Sequence, residues 1–136
     1  MMQGQIGGEV NLPDLAGIWR LDGAALTPDG ERLYEWEGRV TLTQQAQLCA
    51  VMLETLGERT SRSLSYAERL TALDVGQWAL RYGYEMEPDS GAPPGYSYFG
   101  VSQLTFAADL QSAHGHSCNW NGTRYAVMEL ALTRAA

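Results

Sequence analysis

A chain of 136 residues has room for one domain and can bury a core without covalent staples. With 45% hydrophobic and 18% charged residues, its composition is that of a globular protein and excludes disorder. A net charge of −7 argues against long nucleic acid as a partner, although one inward arginine can still serve a small anion.

All nine basic residues are arginine. Genome composition and a use for bidentate anion contacts both account for that. Cys49 and Cys118 lie far apart without a CxxC spacing, so no disulfide framework or zinc site is indicated. Reduced thiols and a cytoplasmic setting are the default. Residues 1–13 lack the basic and apolar regions of a signal peptide and read as a flexible arm. The barrel-forming domain then occupies residues 14–136. The longest apolar run, residues 48–53, is too short for a bilayer, which needs about twenty residues, so no membrane contact is expected from these residues.

Strand-like segments follow one another along the chain. Residues 15–21 (LAGIWRL) form the first, and residues 23–30 (GAALTPDG) read as a loop turning at Pro28-Asp29-Gly30. Residues 36–44 alternate Val40 and Leu42 against Arg39, Thr41 and Thr43. Residues 47–54 are more continuously apolar, as in a covered strand. Residues 57–66 place Ser61, Ser63 and Ser65 on one face and Arg62, Leu64 and Tyr66 on the other, and residues 67–70 are also compatible with a helical turn.

After a turn at Asp74-Val75-Gly76, residues 78–86 put Trp78, Leu80, Tyr82, Tyr84 and Met86 on one face, the clearest strand of the chain. Residues 88–95 (PDSGAPPG) are a loop. Residues 98–107 and 110–120 pair across Ala108-Asp109, and Asn121-Gly122 signals a type I′ hairpin into residues 123–133. Eight antiparallel strands with short turns predict an all-β, up-and-down barrel, which leaves no exposed edges. Its interior is either packed with side chains or holds one small ligand.

The motif order resembles a known family. Gly17-Ile18-Trp19 looks like the GxW opening of lipocalin-type barrels. Then come a strand from Gly38 ending in Gln44, Ser61-x-Ser63, residues 80–84 (LRYGY), a Gly100 strand with Leu104, a Gly115 strand, and the ending LALTR at residues 130–134. The series resembles the lipocalin-like β-barrel domain of membrane-attached effectors in cyclic-oligonucleotide-based anti-phage signalling systems (CBASS). The resemblance implies a bacterial sensor of a cyclic dinucleotide, preceded in that family by two transmembrane helices. No such pair occurs in these residues, which fits a fragment or a stand-alone barrel.

No catalytic motif of the GxSxG, Walker A or HExxH type is present, so a binding protein is expected, with neither enzyme activity nor a cofactor. His114, His116 and Cys118 share a strand face, but three residues along one strand wrap poorly round one ion, and no metal is expected. A cyclic dinucleotide wants aromatic faces for bases, hydroxyls and amides for riboses, and Arg or backbone N–H groups for phosphates. The candidates are Trp36, Tyr82, Tyr84 and Trp120 for stacking, Arg124 for phosphate, and Ser61, Ser63 and Gln103 for polar contacts. Aromatics at strand spacing also fill cores, and arginines also coat solvated faces. The apolar face of residues 78–86 should point inward, which turns Arg81 outward, as Arg39 is turned by Val40 and Leu42. A carrier of a hydrophobic small molecule and a filled barrel serving as a protein-interaction module are the alternatives. Homo-oligomerisation is compatible with all three, although no surface stripe demands it.

Overall fold

The computed structural model describes residues 12–57, 61–87, 99–120 and 125–135. Eight strands, β1 (Gly17–Leu26), β2 (Arg32–Gln45), β3 (Leu48–Leu56), β4 (Arg62–Ala72), β5 (Trp78–Met86), β6 (Phe99–Phe106), β7 (Ser112–Trp120) and β8 (Tyr125–Arg134), form a closed barrel in chain order. All neighbours are antiparallel, and β1 closes on β8 from Trp19↔Arg134 to Leu26↔Val127. The all-β up-and-down barrel expected from the strand pattern is the fold. Among the described residues no helix is long and apolar enough to cross a membrane. The Asn121-Gly122 turn and the loop at residues 88–95 lie outside the described residues.

Three boundaries depart from the sequence expectation. β1 continues through residues expected to be a loop. Gly23, Ala24 and Ala25 are small on both faces, so no alternation betrays the strand, yet Gly23 pairs with Trp36 and takes the indole ring against its backbone. The connection shrinks to residues 27–31, closed by Gly30 N–H donating to the Thr27 carbonyl at 2.8 Å. Residues 67–70 are strand and not helix, but strand with a bulge. Tyr66 pairs with Gly83 and Arg69 with Arg81, leaving Ala67 and Glu68 together opposite Tyr82, and Ala67 has φ 55. The third departure is at the strand expected over residues 57–66, which is strand only from Arg62 and runs on to Ala72; its ladder with β3 holds only Met52↔Leu64, Leu53↔Ser63 and Glu54↔Arg62.

One end of the barrel is plugged. Trp19 is fully buried at the closed end, edge-on to Phe106 with ring centroids 5.3 Å apart. Its Nε1 donates to the Leu15 carbonyl at 3.0 Å, and the Arg134 guanidinium lies 4.5 Å from the ring centroid. Gln44 accepts from Leu15 N–H and donates to the Pro13 carbonyl, while Arg134 donates to the carbonyls of Asp14, Ala16 and Leu110. The residues that carried the family resemblance at both ends of the chain therefore tie the segment before β1 across the barrel bottom. Leu21, Leu42, Cys49, Leu80, Leu104 and Leu132 complete the apolar core. The ends of β1, β3, β5 and β7 meet the starts of β2, β4, β6 and β8 at the opposite end.

Candidate functional site

The inner wall changes character away from the Trp19 plug. Register sets one row of inward residues as Tyr82, Ser102, Ser117 and Met128, and the next as Ser65, Tyr84, Gly100 and Asn119. Ser102, Ser117 and Asn119 are all buried, at positions where a filled barrel would carry aliphatic side chains. Buried hydroxyls and amides need partners, and these find them across the rows. The Tyr84 hydroxyl donates to Ser117 Oγ at 3.4 Å, and Ser102 bonds the Tyr82 phenol. A Cβ at Gly100 would fall on the Cys118 carbonyl and 2.7 Å from the Tyr84 oxygen, so only glycine leaves room for that phenol.

Burial pushes the Tyr82 phenol up to about 12, with the Ser102 bond opposing and Tyr84 adding to the shift. Tyr84 is also raised by burial, which its bonds to Ser117 and Asn119 counter. Both rings are therefore neutral at physiological pH. Their centroids lie 6.4 Å apart at 59°, so they present two tilted faces and not a parallel slot. Trp36 lies on the other side of the interior over Gly23 and Gly38. Its Nε1 is buried and has no hydrogen-bond partner among the described residues.

The serine row of β4 faces inward, half-buried, and its members differ in what they do. Ser61 is tied to Thr55: the two hydroxyls are 2.8 Å apart, and Ser61 N–H donates to Thr55 Oγ1 at 2.8 Å. Ser65 Oγ accepts from Val51 N–H at 2.7 Å and donates to Glu68 Oε2 at 2.6 Å. It thus takes over from the backbone ladder where β3 and β4 part.

Five of the eight expected ligand residues, Trp36, Ser61, Ser63, Tyr82 and Tyr84, point into the barrel. Gln103 is on the outer wall, exposed, accepting from Arg81 Nε at 2.7 Å. Trp120 also lies outside, against Tyr125 with centroids 4.7 Å apart, on an apolar patch with Phe99 and Val101. Arg124 lies outside the described residues. His114, His116 and Cys118 are exposed on the outer wall, the two histidines beside Glu37, Asp22 and Glu129 in an external groove. Among the described residues no three of His, Cys, Asp and Glu converge as metal ligands.

Ser102, Ser117, Met128 and Glu68 line the interior without having been singled out from the sequence. The signal was present for two of them: Ser102 shares its face with Leu104 and Phe106, and Ser117 shares its face with Ala113. A polar residue interrupting an apolar face marks a wet wall.

Two comparisons bear on this geometry. The family model described as "Cap15, cyclic dinucleotide receptor domain" matches residues 10–134. CD-NTase-associated protein 15 of Yersinia aleksiciae is 30% identical over 115 residues, covering 82% of this chain and 50% of that protein. The chain therefore spans about half the length of this curated relative. The match runs from before β1 to the end of β8 and so takes in the whole barrel, its plugged end and its inward polar rows: the chain belongs to the Cap15 cyclic dinucleotide receptor domain family.

Proposed function

We infer that this barrel senses a cyclic oligonucleotide second messenger in bacterial CBASS defence, taking it from the end opposite the Trp19 plug. The observation that carries the reading is the change of the inner wall from aliphatic to hydroxyl, amide and phenol within one closed barrel. A carrier of fatty acids gains nothing from a buried Ser102, Ser117 and Asn119, whereas ribose and base edges need such partners. Tyr82 and Tyr84 offer stacking faces, each base on an aromatic ring contributing about 1–3 kcal/mol. Ser63, with an inward hydroxyl that no described residue engages, is ready to meet a ligand. Trp36 offers a third ring and an indole N–H that a ligand acceptor would satisfy. Arg124, one residue before β8, is the proposed phosphate partner.

Thermal unfolding of the purified chain against cyclic di- and trinucleotides, with linear dinucleotides and a fatty acid as controls, tests the reading. A ligand at 100 times its Kd stabilises by about 2.7 kcal/mol. For a chain of this size that is a rise of about 10 °C, confined to cyclic species. A shift with the fatty acid alone refutes it.

A further inference from the structure

A carboxylate inside the barrel has no cation beside it. Asp22, Glu35, Glu37, Glu54, Glu87 and Glu129 all have an arginine within 4 Å, and the described carboxylates that lack one, Asp14, Asp29, Glu31, Asp74, Glu85 and Asp109, are exposed to water. Glu68 has none among the described residues, and its one hydrogen bond is the donation from Ser65. The bulge in β4 puts it there. With a regular ladder continuing from Tyr66↔Gly83, Glu68 would stand opposite Arg81 on the outer wall, a ready ion pair. The extra residue moves Arg69 opposite Arg81 and leaves Glu68 beside Ala67, facing Tyr82. It also forces Ala67 into the left-handed region at φ 55, where alanine is strained. Two observations place the Glu68 carboxylate inward: the bond from the inward Ser65, and the register after the bulge, which puts Arg69 opposite the outward Arg81 and Leu70 opposite the buried Leu80. A strained backbone that turns an acid away from its arginine and toward the inward hydroxyl and phenol row serves a ligand better than it serves the fold.

What that ligand presents follows from charge. A carboxylate repels phosphate and accepts from paired N–H donors. We propose that Glu68 reads the base of the bound nucleotide, accepting from the adjacent N1–H and exocyclic amino group of a guanine that lies against Tyr82 or Tyr84. This inference rests on the cyclic-oligonucleotide reading of the barrel and adds orientation and selectivity to it. The base enters first and the phosphates stay toward the end opposite the Trp19 plug. Oε1 has no described partner, and Oε2, although used by Ser65, keeps a second lone pair, so a two-point contact is available. Adenine offers a ring acceptor beside its amino group, and uracil flanks one N–H with two carbonyls, so neither matches a carboxylate at two points.

Titration calorimetry of the whole chain with cyclic di-GMP, cyclic di-AMP and cyclic di-IMP tests this. Cyclic di-GMP should bind about 10- to 100-fold more tightly than cyclic di-AMP, and cyclic di-IMP, which lacks the exocyclic amino group, should lose about tenfold against cyclic di-GMP. Glu68→Gln keeps an acceptor for Ser65 but gains a donor, matching adenine at two points. It should lower the guanine-to-adenine preference by at least about tenfold. The inference is overturned if cyclic dinucleotides bind while Glu68→Gln leaves that preference within about twofold, or if cyclic di-IMP equals cyclic di-GMP. If the wild-type chain binds no cyclic dinucleotide, the reading of the function itself falls. The inosine comparison needs no variant and so does not depend on how Glu68→Gln folds.

Discussion

Ser65 and Ser63 are two residues apart on one strand, face the same way and are both half-buried, yet their removal should have very different effects. Ser65 Oγ stands in for a missing ladder bond by accepting from Val51 N–H, and it is the donor to Glu68. Ser65→Ala leaves a backbone N–H without its acceptor, at about 1–3 kcal/mol, and removes a hydrogen bond to a carboxylate worth about 1.5–3 kcal/mol. Because the site is half-buried, water recovers part of both, and we expect a net loss of about 2–3 kcal/mol. That corresponds to a fall in melting temperature of about 8–12 °C for a chain of this length. Ser63 engages no described residue through its hydroxyl, so Ser63→Ala should stay within about 0.5 kcal/mol of wild type. Urea unfolding followed by circular dichroism measures both. If the two variants unfold within about 0.5 kcal/mol of one another, the idea that a side chain holds β3 to β4 below Met52↔Leu64 is wrong.

Two further outcomes are expected. The Tyr82 phenol is raised to about 12 in the folded chain against an ordinary value of about 10, so the unfolded chain ionises first on the alkaline side. Its contribution is fully present below pH of about 10 and is lost as pH rises towards about 12, with a slope of at most about 1.4 kcal/mol per pH unit. Tyr82→Phe should flatten that decline in denaturation measured across this range, and an unchanged slope would count against the assignment. The two thiols should separate in reaction with a chromogenic disulfide. Cys118 is exposed and should react at once, whereas Cys49 is fully buried with its thiol pushed up by burial and by Glu68. Cys49 should react only at the rate of unfolding, and two equally fast thiols in the native chain would refute this.

What the sequence made legible, and what it hid, follows from one rule of alternation. Where one face is wholly apolar, as from Trp78 to Met86, both the strand and its inward face could be read directly, and Tyr82 and Tyr84 lie in the barrel interior as expected. On β6, Val101 and Thr105 compete with Leu104 and Phe106, so neither face is purely apolar and Gln103 could be read either way. Pairing with β5 and β7 decides the matter, and a single strand holds no record of it. Trp120 was ambiguous for a related reason: its neighbour Asn119 is polar and buried, the reverse of the usual assignment. Glu68 was hidden most deeply, because a bulge resets the parity of every residue after it, and an alanine in the left-handed region leaves no compositional mark as glycine would.

The closure of β1 on β8 has a consequence in time. Arg134 grips the carbonyls of Asp14 and Ala16 across about 120 positions of chain, and the β1 ladder is half complete until β8 arrives. Loop closure over such a span is slow, and sheets dominated by distant pairings fold on the millisecond-to-second scale. A ribosome adding about 5–20 residues each second therefore displays β1 with a bare edge for several seconds before its partner emerges. Arg20 and Asp22, outward charges on that edge, keep the waiting strand from pairing with another copy of itself during synthesis.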